Sequence, residues 1–265
     1  MNCVPARLLF TLILASMVGC ARRDRVAPTE ISTLGEPTKD ESQPLSNARL
    51  IGTSREGRMI HAETITGSRI GAGSPNSSGP VLIIACIHGD EQEGLGAVDL
   101  IRDRAAGGAR TVLLVENMNL DGVASRTREN ASGVDLNRNW PTRNFRPSRA
   151  HGPSALSEPE SRAVHDLLTQ IRPSLVIVLH STPSGPFVNY DGPAGQVAAR
   201  FADACERVDP RWRVVADMGY PTPGSLGTLV GDEWGIPILT IEFRKGQDSA
   251  SVRAALDAGL RAVLD

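Results

Sequence analysis

Seven consecutive apolar residues, Val81-Leu82-Ile83-Ile84-Ala85-Cys86-Ile87, are followed at once by His88. A strand with one face in water alternates apolar and polar residues. An unbroken apolar run instead marks a strand covered on both faces, in a parallel or mixed sheet. Residues 175–179 repeat the pattern, and residues 236–243, 111–115 and 59–66 read as further strands. Between them the periodicity predicts helices over residues 93–106, up to Ile171, over 194–208 and over 249–264, the second opened by a capping box of Ser157 and Glu160. Residues 67–79 form a Gly/Ser loop and residues 117–152 a loop-rich stretch. Strands alternating with helices predict an α/β fold: one domain with a mixed, mainly parallel central sheet and helices on both faces.

That domain does not need the whole chain of 265 residues. Arg7 precedes an apolar run at residues 8–18, too short for the roughly 20 residues a membrane span requires. Gly19-Cys20 closes a bacterial lipobox-like segment that predicts lipidation of Cys20, with an ordinary cleaved signal as the alternative. Both predict export to the periplasm or cell envelope, and the first predicts attachment to a membrane. Residues 1–20 are thus read as a signal peptide, residues 21–47, polar and carrying Pro28, Pro37 and Pro44, as a flexible linker, and residues 48–265 as the catalytic domain. With 28 Lys+Arg against 30 Asp+Glu the chain has no field that would gather nucleic acid. No Cys-x-x-Cys pair is present, and Cys86 and Cys205, placed in a strand and a helix, read as inert buried thiols.

In open α/β sheets the ligand site lies beyond the carboxyl ends of the strands. Three ionisable residues end strands here: His88, His180 and Glu242. His88 and Glu91, three apart around the flexible Gly89, can face one ion. With His180 they form two imidazoles and a carboxylate, leaving a coordination position open, which is how catalytic zinc is held. Glu242 is then the natural general base.

These residues belong to a larger set: Gly52-Thr53-Ser54-Arg55-Glu56-Gly57; His88-Gly89-Asp90-Glu91; Arg128, leading to Gly133-Val134-Asp135-Leu136-Asn137-Arg138-Asn139-Trp140; His180-Ser181; and Ile241-Glu242-Phe243. The set, spread over nearly all of the chain from about Leu50, resembles the zinc metallocarboxypeptidase superfamily, and within it the short bacterial branch of murein peptide amidases. The resemblance implies one zinc ion on His88, Glu91 and His180, and Glu242 as activator of water. It implies Arg128 as stabiliser of the oxyanion, Asn137 and Arg138 as the grip on a substrate carboxylate, and Tyr220, 22 residues before Glu242, as a mobile residue that closes over substrate. Asp135 reads as an outer carboxylate orienting a ligand histidine.

The implied substrate is a small murein peptide, cut at the γ-D-glutamyl to meso-diaminopimelate amide bond. The segment from Phe187 to Pro193 reads as a specificity loop whose acid could meet the side-chain ammonium. Alternatives are a general metallocarboxypeptidase, a deacylase of small N-acyl amino acids, and an inactive lipoprotein that binds wall peptides. Arg244 shares a strand face with Glu242, so contact with substrate and a surface position both stand open. Arg126, Arg143, Arg146 and Arg149 read as a solvated loop, and His61, His151 and His165 as surface residues.

Overall fold

The computed structural model describes residues 47–70 and 79–265. The export segment with Cys20, the linker up to residue 46 and most of the Gly/Ser loop lie outside the described residues.

Eight strands form one mixed sheet: β1 (Ala48–Thr53), β2 (Met59–Thr66), β3 (Val81–Ala85), β4 (Thr111–Val115), β5 (Leu175–Thr182), β6 (Phe187–Asp191), β7 (Val214–Val215) and β8 (Ile238–Arg244), in the order β1-β2-β4-β3-β5-β8-β6-β7. The centre, β4-β3-β5-β8, is parallel; β2 joins β4, and β6 joins β8, in antiparallel fashion. The apolar run of β3 is buried at every position because both of its faces are covered. On one face its odd-numbered residues Val81, Ile83 and Ala85 pack with Ile101 of α1 (Val98–Ala106), Phe201 of α4 (Gly195–Glu206) and Leu256 and Leu260 of α5 (Ser249–Leu264). On the other, Leu82 and Ile84 pack with Val164 and Leu168 of α3 (Pro159–Ile171), Met118, Leu136, Trp140 and Leu229.

Several expected elements differ in the structure. The strand begun at Val81 stops at Ala85, because Cys86 takes a left-handed φ of 54°. The helix expected from residue 93 opens with a 3-10 turn at Leu95–Ala97 and becomes α-helical at Val98. The loop-rich stretch contains a short helix, α2 (Leu120–Ser125), with the Asn119 side chain accepting from Gly122 N as its cap. No capping box forms at α3. Its N-cap is Glu158, without a side-chain cap. The Ser157 hydroxyl instead donates to Glu158 and accepts from Asn139, while Glu160 accepts from Asn130 Nδ2 and Arg55 N. A more remote set of donors has outcompeted the local motif. The segment read as a specificity loop is the strand β6 up to Asp191, with Asn189 opposite Thr240 and Asp191 opposite Ile238.

Both described cysteines are buried free thiols, and burial pushes each up to about 12. They are unsuited to nucleophilic work at neutral pH.

Candidate active site

Parallel pairing of β5 and β8 sets His180 directly opposite Glu242, and β3 delivers its own carboxyl-end turn, with His88 and Glu91, one strand away. This turn is tightly seated. A Cβ on Gly89 would lie 2.0 Å from the backbone carbon of Gly122, so only glycine permits the approach to α2. Asn119 fastens the same region by donating to Ile87 O and to Arg128 O.

His88, Glu91 and His180 are all buried. His88 Nδ1 lies 2.9 Å from Glu91 Oε1, His180 Nδ1 lies 2.7 Å from Glu91 Oε2, and the two Nδ1 atoms are 3.1 Å apart. Donor atoms at about 2.0–2.1 Å from a tetrahedral zinc stand roughly 3.3 Å from one another, so the three side chains fit such an ion. Asp135 Oδ1 lies 3.1 Å from His88 Nε2. A hydrogen on Nε2 directed at that carboxylate leaves the Nδ1 lone pair free for a metal. Burial, the largest influence on Glu91, raises its pKa, but His180 and His88 outweigh it and hold the carboxyl well below its ordinary range. Asp135 is likewise pushed up by burial and then carried well below the ordinary range by His88 and Arg128.

Arg128 stands beside this group. Its Nη1 donates to Glu91 Oε1 at 3.1 Å and its Nε to Asp135 Oδ2 at 3.1 Å, which points the guanidinium along the edge of the ligand set. Glu242 is different: its Oε2 is cut off from solvent and has no hydrogen-bond partner. Burial first, with Glu91 adding repulsion and His180 and Arg128 opposing, pushes its pKa up to about 7.

His88, Glu91, His180, Arg128 and Glu242 border one cleft of about 350 Å³, which Asn137, Arg138, Tyr220, Asp191 and Lys245 also line. Asn137 and Arg138 sit on a 3-10 turn, Leu136–Arg138, capped by Asp135, whose Oδ1 accepts from Asn137 N. Asn137 Oδ1 in turn accepts from Leu226 N, tying this turn to the segment that closes the cleft. Tyr220 borders the cleft and is 55% exposed.

Arg244 is exposed and does not border the cleft, and Arg126, Arg143, Arg146 and Arg149 are exposed away from it. His165 is not a free surface residue: its ring lies 5.8 Å from that of Trp234. Thr240 and Lys245 are among the bordering residues that sequence reasoning missed, and Asp191 was visible to it only as one acid within a loop. Thr240 had a signal, since it lies two residues before Glu242 and strand alternation puts both on one face. Lys245 had none.

Residues 108–227 match the zinc carboxypeptidase family. Murein peptide amidase A of Escherichia coli K12 is 28% identical over 209 residues, covering 72% of this chain and 81% of that protein. The Vibrio campbellii amidase is 29% identical over 199 residues, covering 69% and 76%. Among solved structures, the murein-tripeptide amidase of Escherichia coli O157 superposes with a TM-score of 0.62 at 23% identity, covering 88% of this chain and 97% of that one. Carboxypeptidase A of Helicoverpa armigera does so with 0.63 at 20% identity, covering 81% and 68%. These likenesses make the chain a metallopeptidase-type hydrolase that resembles the zinc metallocarboxypeptidase superfamily and, within it, the murein peptide amidases.

Proposed function

We propose that this protein hydrolyses an amide bond in a small peptide with one zinc ion held by His88, Glu91 and His180, and that its substrate is a murein peptide cut between γ-D-glutamate and meso-diaminopimelate. The observation that carries the hydrolytic reading is Glu242 Oε2, unpartnered and shielded within the cleft that also holds the ligand set. Zinc in that set supplies Lewis-acid polarisation and makes water acidic enough to deprotonate near neutral pH. Glu242 takes the proton from water and hands it to the leaving amine, a role served by a carboxyl poised near neutrality. Arg128 presents positive charge where an oxyanion forms. Asn137 and Arg138 take the terminal carboxylate, for which a guanidinium offers two parallel N–H donors. Tyr220 closes over the bound peptide.

The substrate reading rests on Asp191. Among the described residues nothing donates to its carboxylate or pairs with it, and burial, reinforced by Asp232, pushes its pKa up to about 6. Gly227 makes room for it: a Cβ there would lie 2.2 Å from Asp191 Oδ2. A lone carboxyl lining the same cleft as Arg138 suits a leaving residue that carries both a carboxylate and a side-chain ammonium, as diaminopimelate does.

Incubation with L-Ala-γ-D-Glu-meso-diaminopimelate is expected to release free diaminopimelate. A charge-assisted hydrogen bond of ~1.5–3 kcal/mol predicts a loss of about 10–100-fold in kcat/KM for Asp191→Asn. Because the carboxyl must be ionised to hold an ammonium, preference for diaminopimelate over a neutral residue should fade as pH falls through about 6. Turnover of ordinary C-terminal peptides with no release of diaminopimelate would end the murein reading in favour of a general carboxypeptidase. Activity confined to N-acyl amino acids would point to a deacylase, and binding of wall peptides without any cleavage to an inactive lipoprotein.

The export reading rests on the residues around Cys20. Radiolabelled palmitate is expected to enter the wild-type protein in cells and not Cys20→Ser. Equal labelling would remove the lipid anchor from the proposal.

A further inference from the structure

The strand register gives the cleft a direction. Glu242 pairs with Phe187, and Ile238 with Asp191, so Asp191 lies four residues deeper along β8 than Glu242, about 13 Å at a rise of roughly 3.3 Å per residue. The carboxylate grip belongs to this inner end as well. Asn137 is bonded to Leu226, and the adjoining Gly227 abuts Asp191. Lys245 lies beyond Glu242 in the opposite sense, in the turn that begins just past the end of β8 at Arg244.

Lys245 is anchored at that outer rim. Its Nζ meets Asp90 Oδ2 at 2.5 Å, its backbone N–H donates to Thr182 O at 3.0 Å, and Gly246 N donates to Glu93 Oε1 at 2.7 Å. These contacts hold the β8–α5 turn against the loop that bears His88 and Glu91. The side chain remains 40% exposed and borders the cleft with Arg128 and Thr182. An ammonium carries three donors, and Asp90 occupies one. Arg128, the neighbouring cation, is already engaged by Glu91 and Asp135.

A peptide whose leaving residue occupies the inner end must lay its acyl residue toward Lys245. An acyl residue in ordinary α-linkage offers neutral backbone there, and a carboxylate only where its own side chain is acidic. A γ-linked glutamyl residue instead holds a free α-carboxylate on a three-carbon arm from the scissile carbonyl. We propose that Lys245, steadied by Asp90, is a specificity-determining residue that receives this free carboxylate and so selects γ-linked acyl residues. The proposal rests on the murein reading above. If Lys245 serves only to tie two loops together, as exposed ion pairs commonly do at little energetic gain, its replacement would leave substrate choice alone.

The test compares L-Ala-γ-D-Glu-meso-diaminopimelate with the same peptide carrying an α-carboxamide on its glutamyl residue, for wild type, Lys245→Met and Lys245→Arg. Wild type is expected to favour the carboxylate peptide by about tenfold in kcat/KM, chiefly through KM. That ratio should fall toward one in Lys245→Met and largely return in Lys245→Arg. Equal turnover of both peptides by wild type, or an undiminished ratio in Lys245→Met, would overturn the role of Lys245 while leaving the murein reading intact. If wild type cleaves neither peptide yet hydrolyses ordinary C-terminal peptides, the murein reading fails and Lys245 loses its role with it.

Discussion

Replacing Glu242 with Gln is expected to lower kcat by ~10²–10⁴ while zinc stays bound. The amide has nearly the shape of the carboxyl but cannot take a proton from water, so the change reaches the chemistry and spares the packing. Zinc should be retained because its proposed donors are His88, Glu91 and His180, which meet one another within 3.1 Å without help from Glu242. The substitution carries a second signature, in stability. In the metal-free protein the Glu242 pKa is pushed up to about 7, above its unfolded value of about 4.3. A carboxyl raised in this way costs stability progressively as pH climbs from the unfolded to the folded value. The metal-free Gln variant should therefore gain in thermal stability relative to metal-free wild type between pH 5 and pH 8. Unchanged turnover in Glu242→Gln, measured with zinc content alongside, would take this residue out of the mechanism.

Chelation of the metal is expected to abolish turnover and to lower the melting temperature, with both restored by zinc. Without a cation, two imidazole nitrogens face each other at 3.1 Å, so at most one proton can be shared between them, and a buried carboxylate closes the triangle. A ligand bound only by the folded state adds RT ln(1 + [L]/Kd), ~4 kcal/mol at a thousandfold excess over Kd. The unfolding transition should consequently move with zinc concentration. His180→Ala is expected to lose zinc, activity and this dependence together. Full activity in chelator-treated protein that holds no zinc by elemental analysis would exclude a metal from the reaction.

The parts of the fold that were legible in the chain are those governed by burial along a single element. The buried strands β3 and β5 were visible because their apolar runs, 81–87 and 175–179, leave no polar position on either covered face, and α5 because its apolar residues recur at helical spacing. The strand ends bearing His88, His180 and Glu242 followed directly, since the register of β3, β5 and β8 brings them to one edge. Less legible were features in which a nearby rule lost to a remote partner. Ser157 and Glu160 have the spacing of a capping box, yet Asn130, Asn139 and Arg55, all distant in sequence, claim their oxygens. Phe187–Asp191 has the polar and glycine-rich flanks of a loop, and it becomes a strand because β8 offers an unpaired edge.

By itself the sequence determined the layered α/β class, the residues of the candidate ligand set and the strand end that carries Glu242. Each of these depends on residue type together with short-range spacing. Only the tertiary structure decided that Asp191 lines the cleft with no donor to its carboxylate among the described residues, that Asp135 backs His88, and that Lys245 is held at the outer rim by Asp90. Those relations join residues as much as 155 positions apart in the chain. No local period encodes them, because distances across the sheet are set by strand order and register, which the chain settles only when both faces of the sheet are packed.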